Sequence, residues 1–497
     1  MREYKPINVL FFLLLTCVIL LPLVYFAPSN GYLIFGQRFK FLTWEKLLAP
    51  KEQEKLDLNF LEEVVVSDIN DESFDTQLDS TQNELGLPTK STVLAVASQT
   101  QLEQNEEAKK NLNAFFSELK NTTQKKEKIS VFHYGDSQIE GDRMTAFIRQ
   151  RLQSQFGGAG PGLIPAINVY STISFGQEHS ENFERKIIFG KEKLSTKKYG
   201  AMLSAATFKI DSLAHKNGTP TQAWIELTPS KKGYARCKAF SNVNLFYTDC
   251  IDTCTLDIYE NDVLIQQDSL LTDGKTHKLS IKFDKTPERL KLVFNSKISP
   301  TINGISLEGD VGIQMNNVAM RGSSGTQFSS VDYESMSYMH KELNTKLVIL
   351  QFGGNSIPFF KDSSAVRSYA KRLKRQIKFM KKCTPNAAII VIGPSDMSQM
   401  QEGIYETFHF IPYCIEQMRK ETLSVGGSYW DLYNAMGGKD SMYAWVENKL
   451  AGQDYVHFTT KGAKKASQMF YDAFIDAYNT WDQKIKTKQP DTSIANE

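Results

Sequence analysis

Two nearly uninterrupted apolar runs, Lys346 to Phe352 (KLVILQF) and Ala387 to Ile392 (AAIIVI), most narrow what this chain can become. A half-buried strand alternates apolar and polar residues, whereas a strand covered on both faces is apolar at almost every position. The segments Ser363 to Lys382 and Tyr405 to Leu423 read as helices, so strand and helix alternate as in a parallel α/β sheet. A third strand candidate, Ile129 to Tyr134 (ISVFHY), lies far upstream behind a helical pattern of Leu112, Phe115, Phe116 and Leu119. It belongs to the same series.

Between these parts the period changes to two. Val243, Leu245 and Tyr247, then Leu279, Ile281 and Phe283, then Leu290, Leu292 and Phe294 alternate with polar residues. Turn signals at Asn261-Asp262 and Asp273-Gly274 separate the runs, which predicts an antiparallel β-sandwich inserted within the α/β domain. The expected organisation is residues 1–40 as membrane anchor or signal segment and 41–104 as an acidic linker. The α/β domain follows in two parts, 105–199 and 311–482, around the sandwich at 200–310, and 483–497 form a polar tail.

At 497 residues the chain is long enough for at least two folded units. Its net charge of +2 excludes a dedicated nucleic-acid binder. Residues 51–86 carry eleven Asp and Glu against two Lys, a local net of −9 that marks them as a solvated tether. Val64, Val65 and Val66 form one short apolar patch within it.

No charged side chain stands between Lys5 and Arg38, and Val9 to Phe26 is almost wholly apolar. Eighteen residues in a helix span about 27 Å, close to a bilayer's hydrocarbon thickness. Arg2 and Lys5 precede the run, so the remainder of the chain is expected outside the cytoplasm. An uncleaved anchor and a signal peptide cut near Ala27-Pro28-Ser29 both fit; the length of the run and Pro28 favour the anchor. Of six cysteines, five lie beyond this segment, so at least one is unpaired within the chain; Cys250 and Cys254 either bridge or are small buried thiols. No His/Cys cluster has zinc spacing, and no metal or cofactor is expected.

Gly135-Asp136-Ser137 follows directly upon the strand ISVFHY, which puts a serine where open α/β sheets bind ligands. Near the other end, Asp454-Tyr-Val-His457 sets a carboxylate three residues before an imidazole. Asp454 can accept the Nδ1 proton and leave Nε2 to take a proton from a serine. Acyl chemistry also needs donors for an oxyanion. Gly353-Gly354-Asn355 ends the strand KLVILQF, and Gly322-Ser-Ser-Gly325 follows the expected strand Gly312 to Met320; both loops suit that task. The run Gly157 to Gly162 follows a helix and contains Pro161, so it reads as a tight loop and not as a dinucleotide fingerprint. His133 reads as a packed neighbour and Asp396 as a helix cap, while Asp142 either orients the serine loop or is an ordinary first-turn carboxylate.

Taken in order, these blocks resemble the SGNH hydrolases, the GDSL-type esterase family. Ser137 matches the family's nucleophile, Asp454 and His457 the rest of its triad, Gly325 its second-block glycine and Asn355 its third-block asparagine; Gly322 is the alternative glycine. GDSQIEGD (Gly135 to Asp142), FGGAGPGLIP (Phe156 to Pro165), GPSDM (Gly393 to Met397) and DYVHFTTKG further resemble the peptidoglycan O-acetylesterase branch. That branch carries a carbohydrate-binding-module-like sandwich between its first two blocks, and 184 residues lie between Ser137 and Gly322 here. Gln138 stands where that branch often has His, and Ser356 where other members often have Asp or Glu.

The resemblance implies an exported serine esterase that removes O-acetyl groups from a cell-wall glycan, with Ser137, Gly325 and Asn355 forming the oxyanion hole. Two other functions fit the same residues: an O-acetyltransferase whose acceptor is a glycan hydroxyl, and a non-catalytic glycan-binding protein. The expected partners are acetylated glycan and, through the N-terminal segment, a membrane, but no nucleic acid.

Overall fold

The computed structural model describes residues 6–26, 32–34, 37–39, 56, 58 and 101–488. They fall into two compact units, residues 1–55 with 399–406, and residues 56–398 with 407–497. In the first, Pro6–Tyr25 is a helix and Tyr32–Ile34 pairs antiparallel with Gln37–Phe39. The helix forms where the anchor is expected, and its described side chains are almost all exposed. Among the described residues no helix is long and apolar enough to cross a membrane. Val64, Val65, Val66 and nearly all of the acidic segment lie outside the described residues.

The second unit contains a five-stranded parallel sheet. Its strands are β1 (Lys128–Gly135), β2 (Gly312–Ala319), β3 (Thr345–Gln351), β4 (Ala388–Ile392) and β5 (Ser428–Trp430), in the order β2-β1-β3-β4-β5. Gly135 pairs with both Ala319 and Gln351, Gln351 with Ile392, and Ile392 with Trp430. All five carboxyl ends are therefore level. The chain leaves β1 toward opposite sides to build β2 and β3, and such a reversal opens a crevice at the carboxyl edge.

The apolar runs in β3 and β4 are continuous because both faces are covered. On one face Val366, Leu373, Ile377 and Met380 of the helix Ser363–Cys383 join Val348, Leu350, Ile389 and Val391 in one core. On the other, Glu106–Lys125 buries Leu112, Phe115, Phe116 and Leu119, and Phe116 meets Phe474 of Thr460–Lys488 edge-on at 5.4 Å. Burying each such side chain contributes about 1.5–3 kcal/mol.

One expected helix is shorter than its sequence suggests. Residues 404–407 form a strand, and the helix runs only from Ile411 to Leu423, with Pro412 in its first turn. Ile404, Tyr405 and Thr407 are β-branched or aromatic and favour extended backbone, and proline is readily accommodated at a helix start.

Two antiparallel sheets occupy the region between β1 and β2. One contains Val263–Ser269, Cys254–Glu260, Leu290–Ser296, Thr221–Pro229 and Phe175–His179; the other contains His277–Lys282, Asn242–Thr248, Thr301–Glu308, Ser204–Phe208 and Phe183–Ile187, with Gly162–Ile164 alongside Thr301–Glu308. The inward positions follow the period of two, with Val243, Leu245, Ile281, Leu290, Leu292 and Phe294 in a shared core. Strands at Phe175–His179 and Phe183–Ile187 enter these sheets upstream of residue 200. The glycine loop at 157–162 packs against them and against β2: a Cβ on Gly160, whose φ is +89°, would lie 2.2 Å from the Leu307 carbonyl oxygen. Cys250 and Cys254 are buried free thiols.

Candidate active site

Gly135 ends β1, where a Cβ would press on the Ile139 side chain at 2.9 Å. The chain then turns into the short 3₁₀ helix Ser137–Asp142, capped by Asp136, whose Oδ1 accepts from the Gln138 N–H at 3.0 Å. Ser137 thus stands at the sheet edge beside the β1/β3 reversal. Asp142, the last residue of that helix at φ +66°, is buried and accepts from both terminal Arg149 guanidinium nitrogens, at 2.6 and 3.2 Å, and from the Ser174 hydroxyl. It locks the serine loop onto the helix Thr145–Phe156.

His457 arrives at the same place from the far end of the chain. Its Nε2 lies 2.8 Å from Ser137 Oγ, and its Nδ1 lies 2.7 Å from Asp454 Oδ2. The other Asp454 oxygen accepts the N–H groups of Val456 and His457, each at 3.0 Å. Burial raises the Asp454 pKa, but the backbone and ring hydrogen bonds from His457 outweigh it, and the net is a carboxyl held below its ordinary value. An ionised Asp454 accepts from Nδ1–H, which leaves the Nε2 lone pair facing the serine hydroxyl. The three residues read from the sequence as nucleophile, base and orienting acid form one hydrogen-bonded chain.

Asn355 follows β3 at the same edge. Its Nδ2 donates to the Ser323 carbonyl at 3.1 Å, and its side-chain amide lies against the Asp136 carboxyl. The second-block loop sits beside it. Gly325 has φ +72°, and a Cβ there would lie 2.5 Å from the Phe352 ring, so only glycine fits against the end of β3. Gly322 also has positive φ but faces open space. This packing singles out Gly325 over Gly322 as the constrained glycine. The Gly325 N–H itself donates to Ser323 Oγ at 3.1 Å, and the Tyr369 hydroxyl holds the loop through the Ser324 carbonyl at 2.9 Å.

Sequence reasoning gave Asp136 no role of its own and noted Gln138 only as standing where the peptidoglycan O-acetylesterase branch often has His. Gln138 Nε2 donates to the Val456 carbonyl at 2.7 Å, and its Oε1 accepts from the Phe458 N–H at 3.4 Å. Asp136 is buried, and burial pushes its carboxyl up to about 6. Adjacency to Ser137 was the signal for Asp136, and for Gln138 it was joined by that departure from the resembled branch. His133 is packed and buried, with Nε2 on Gln351 Oε1 at 3.0 Å and Nδ1 on the Thr145 hydroxyl; burial lowers its pKa to about 4. Asp396 caps a helix, though one distant in sequence: its Oδ2 accepts the Met442 N–H at the start of Ser441–Glu447.

No protein-family model and no curated protein sequence matches the chain. Among solved structures, a peptidoglycan O-acetylesterase aligns at 22% sequence identity and a TM-score of 0.59, over 74% of this chain and 96% of its own. A family two carbohydrate esterase from Cellvibrio japonicus aligns at 9% identity and a TM-score of 0.25, over 62% of this chain and 99% of its own. An acetyl xylan esterase from the rumen bacterium Butyrivibrio proteoclasticus aligns at 10% identity and a TM-score of 0.21, over 63% and 100%. Scores this low carry no weight. The first likeness gives the fold: this chain shares the fold of the solved peptidoglycan O-acetylesterase, with Ser137 and Asn355 at the level edge of its parallel sheet.

Proposed function

We propose that this protein is a serine esterase that removes O-acetyl groups from a cell-envelope glycan. The observation that carries the reading is the unbroken chain from Ser137 Oγ through His457 to Asp454, at 2.8 and 2.7 Å. In this mechanism His457 Nε2 takes the Ser137 proton as Oγ attacks the acetyl carbonyl. Asp454 stabilises the imidazolium that forms. The Asn355 side-chain amide and the Ser137 and Gly325 backbone N–H groups hold the oxyanion, which requires Gly325 to exchange its bond to Ser323 Oγ for the substrate oxygen. His457 then returns its proton to the departing sugar oxygen. Water, activated by the same imidazole, releases acetate from Ser137.

The glycan assignment rests on the solved peptidoglycan O-acetylesterase with which the fold is shared. We read the two antiparallel sheets between β1 and β2 as an inserted module that positions the sugar chain. The catalytic part acts outside the cytoplasm in this reading, tethered by the N-terminal segment. Its support is the absence of charge between Lys5 and Arg38 behind two basic residues.

The test is acetate release from O-acetylated peptidoglycan and from a neutral acetylated glucan by the full chain and by Ser137→Ala. Release that needs Ser137 supports the esterase. Acetylated acceptor formed in excess of free acetate overturns hydrolysis in favour of transfer, and activity that survives Ser137→Ala overturns the site.

A further inference from the structure

A second concavity opens beside the serine loop, starting at Glu140, three residues after Ser137 in the chain. Glu140 and Asp142 form one wall, Asn317 and Ala319 at the end of β2 another, and Asn168, Tyr170, Arg185 and Ser204 come from the antiparallel region. Its volume is about 60 Å³. At roughly 10–15 Å³ per water this admits a few waters or one substituent of a sugar.

The charges around it do not balance. Arg149 is matched by Asp142, with both side chains almost fully enclosed. Glu140 is matched by Arg321, which also stacks over the Tyr170 ring at 4.6 Å. Arg185 is left over. Its neighbour in sequence, Glu184, pairs with Lys186 and Lys209. The Arg185 Nε is enclosed with no hydrogen-bond partner among the described residues, and burial lowers the guanidinium's pKa. A half-enclosed cation without a counter-ion is costly, and a carboxylate that docks against its planar fork removes the cost.

We infer that this cavity is a subsite for a carboxylate borne on a sugar ring, held by Arg185 while the adjoining ring presents its acetyl ester to Ser137. The inference rests on the esterase reading and names its substrate class, an acidic glycan. Arg185 is thus a specificity residue and takes no part in the acyl chemistry. Asn168, Ser204 and the Tyr170 phenol supply hydrogen bonds for the substituent's oxygens or for waters beside it.

Binding and turnover separate this inference from the reading beneath it. Calorimetric titration of full-length Ser137→Ala compares glucuronate with glucose, and N-acetylmuramate with N-acetylglucosamine, each pair differing by a carboxylate-bearing group. The acid is expected to bind about tenfold or more tightly than its neutral partner. The pair with the larger ratio identifies the uronate or the lactyl ether as the source. Arg185→Gln in the same background is expected to abolish the preference, and Arg185→Lys to retain part of it. Equal binding of acid and neutral sugar overturns the inference, as does a preference that survives Arg185→Gln or equally tight binding of inorganic phosphate. If the Arg185 variants do not fold, the acid-against-neutral comparison in Ser137→Ala decides alone. With Ser137 restored, the wild-type protein is expected to hydrolyse a chromogenic acetate. A wild-type protein inert toward that ester defeats the esterase reading and leaves the sugar-binding result standing.

Discussion

Gln138 grips the chain on both sides of His457. One end of its side-chain amide donates to the Val456 carbonyl and the other accepts the Phe458 N–H, so the residue after the proposed nucleophile fixes the backbone that carries its base. A misplacement of about 1 Å in such a constellation can cost 10²-fold in rate. Gln138→Ala is therefore expected to lower kcat on a chromogenic acetate by about 10- to 100-fold, with KM almost unchanged. Gln138→Glu keeps the acceptor for Phe458 and loses the donor to Val456, so its kcat should lie between the two. A change confined to KM would mean that Gln138 touches substrate and does not position the base.

Ser137→Ala should reduce kcat by about 10⁴- to 10⁶-fold while leaving the fold intact. Asp454→Asn tests the tautomer: an asparagine can donate toward Nδ1 and turn the ring's proton onto Nε2. A loss of about 10⁴ in kcat is expected, as in other Ser–His–Asp sites. Steady-state kinetics with circular dichroism on the same samples checks both.

Asp142 and Arg149 form an ion pair with side-chain exposures of 5% and 1%. Asp142→Asn keeps a residue that tolerates positive φ but strands the guanidinium. The expected cost is about 3–5 kcal/mol of unfolding free energy, measured by denaturant titration. A loss under about 1 kcal/mol would mean that water or another group compensates Arg149.

Asp136 yields a pH dependence of stability. Its folded pKa, raised by burial to about 6, exceeds its ordinary value of 3.8. Between these values the folded state binds more protons than the unfolded state, so this group's contribution to stability falls as pH rises through the window and is flat above it. Asp136→Asn removes that penalty. It should leave stability unchanged near pH 3.5 and raise it by about 3 kcal/mol above pH 6.5. Unfolding titrations at the two pH values check the sign, and a variant less stable than wild type at pH 7 would contradict it.

Most of what the sequence revealed is carried by local pattern. The runs in β3 and β4 announced a covered sheet because each residue there faces a core, and the alternation at Val243, Leu245 and Tyr247 announced half-buried strands. The meeting of Ser137 with the Asp454–His457 pair was legible because the chemistry proposed for them admits few residue types. Gln138 was not, since its partners lie some 320 positions away and a glutamine is compatible with almost any exposed turn. Arg185 sits in a short strand of mixed polarity, where only the third dimension reveals that its neighbours' carboxylates are engaged elsewhere. The helix expected from Tyr405 failed for a local reason, the β-favouring residues before Pro412, which its apolar spacing concealed.

The hydroxyl of Ser137 and the ring of His457 belong to opposite ends of the folded sequence, and the imidazole enters only after the last strand of the sheet. During synthesis the serine emerges long before its base exists. In the proposed mechanism a polypeptide interrupted or clipped ahead of His457 carries the serine without its base, however well its earlier part folds, so ester cleavage has to wait for the segment that follows the last strand.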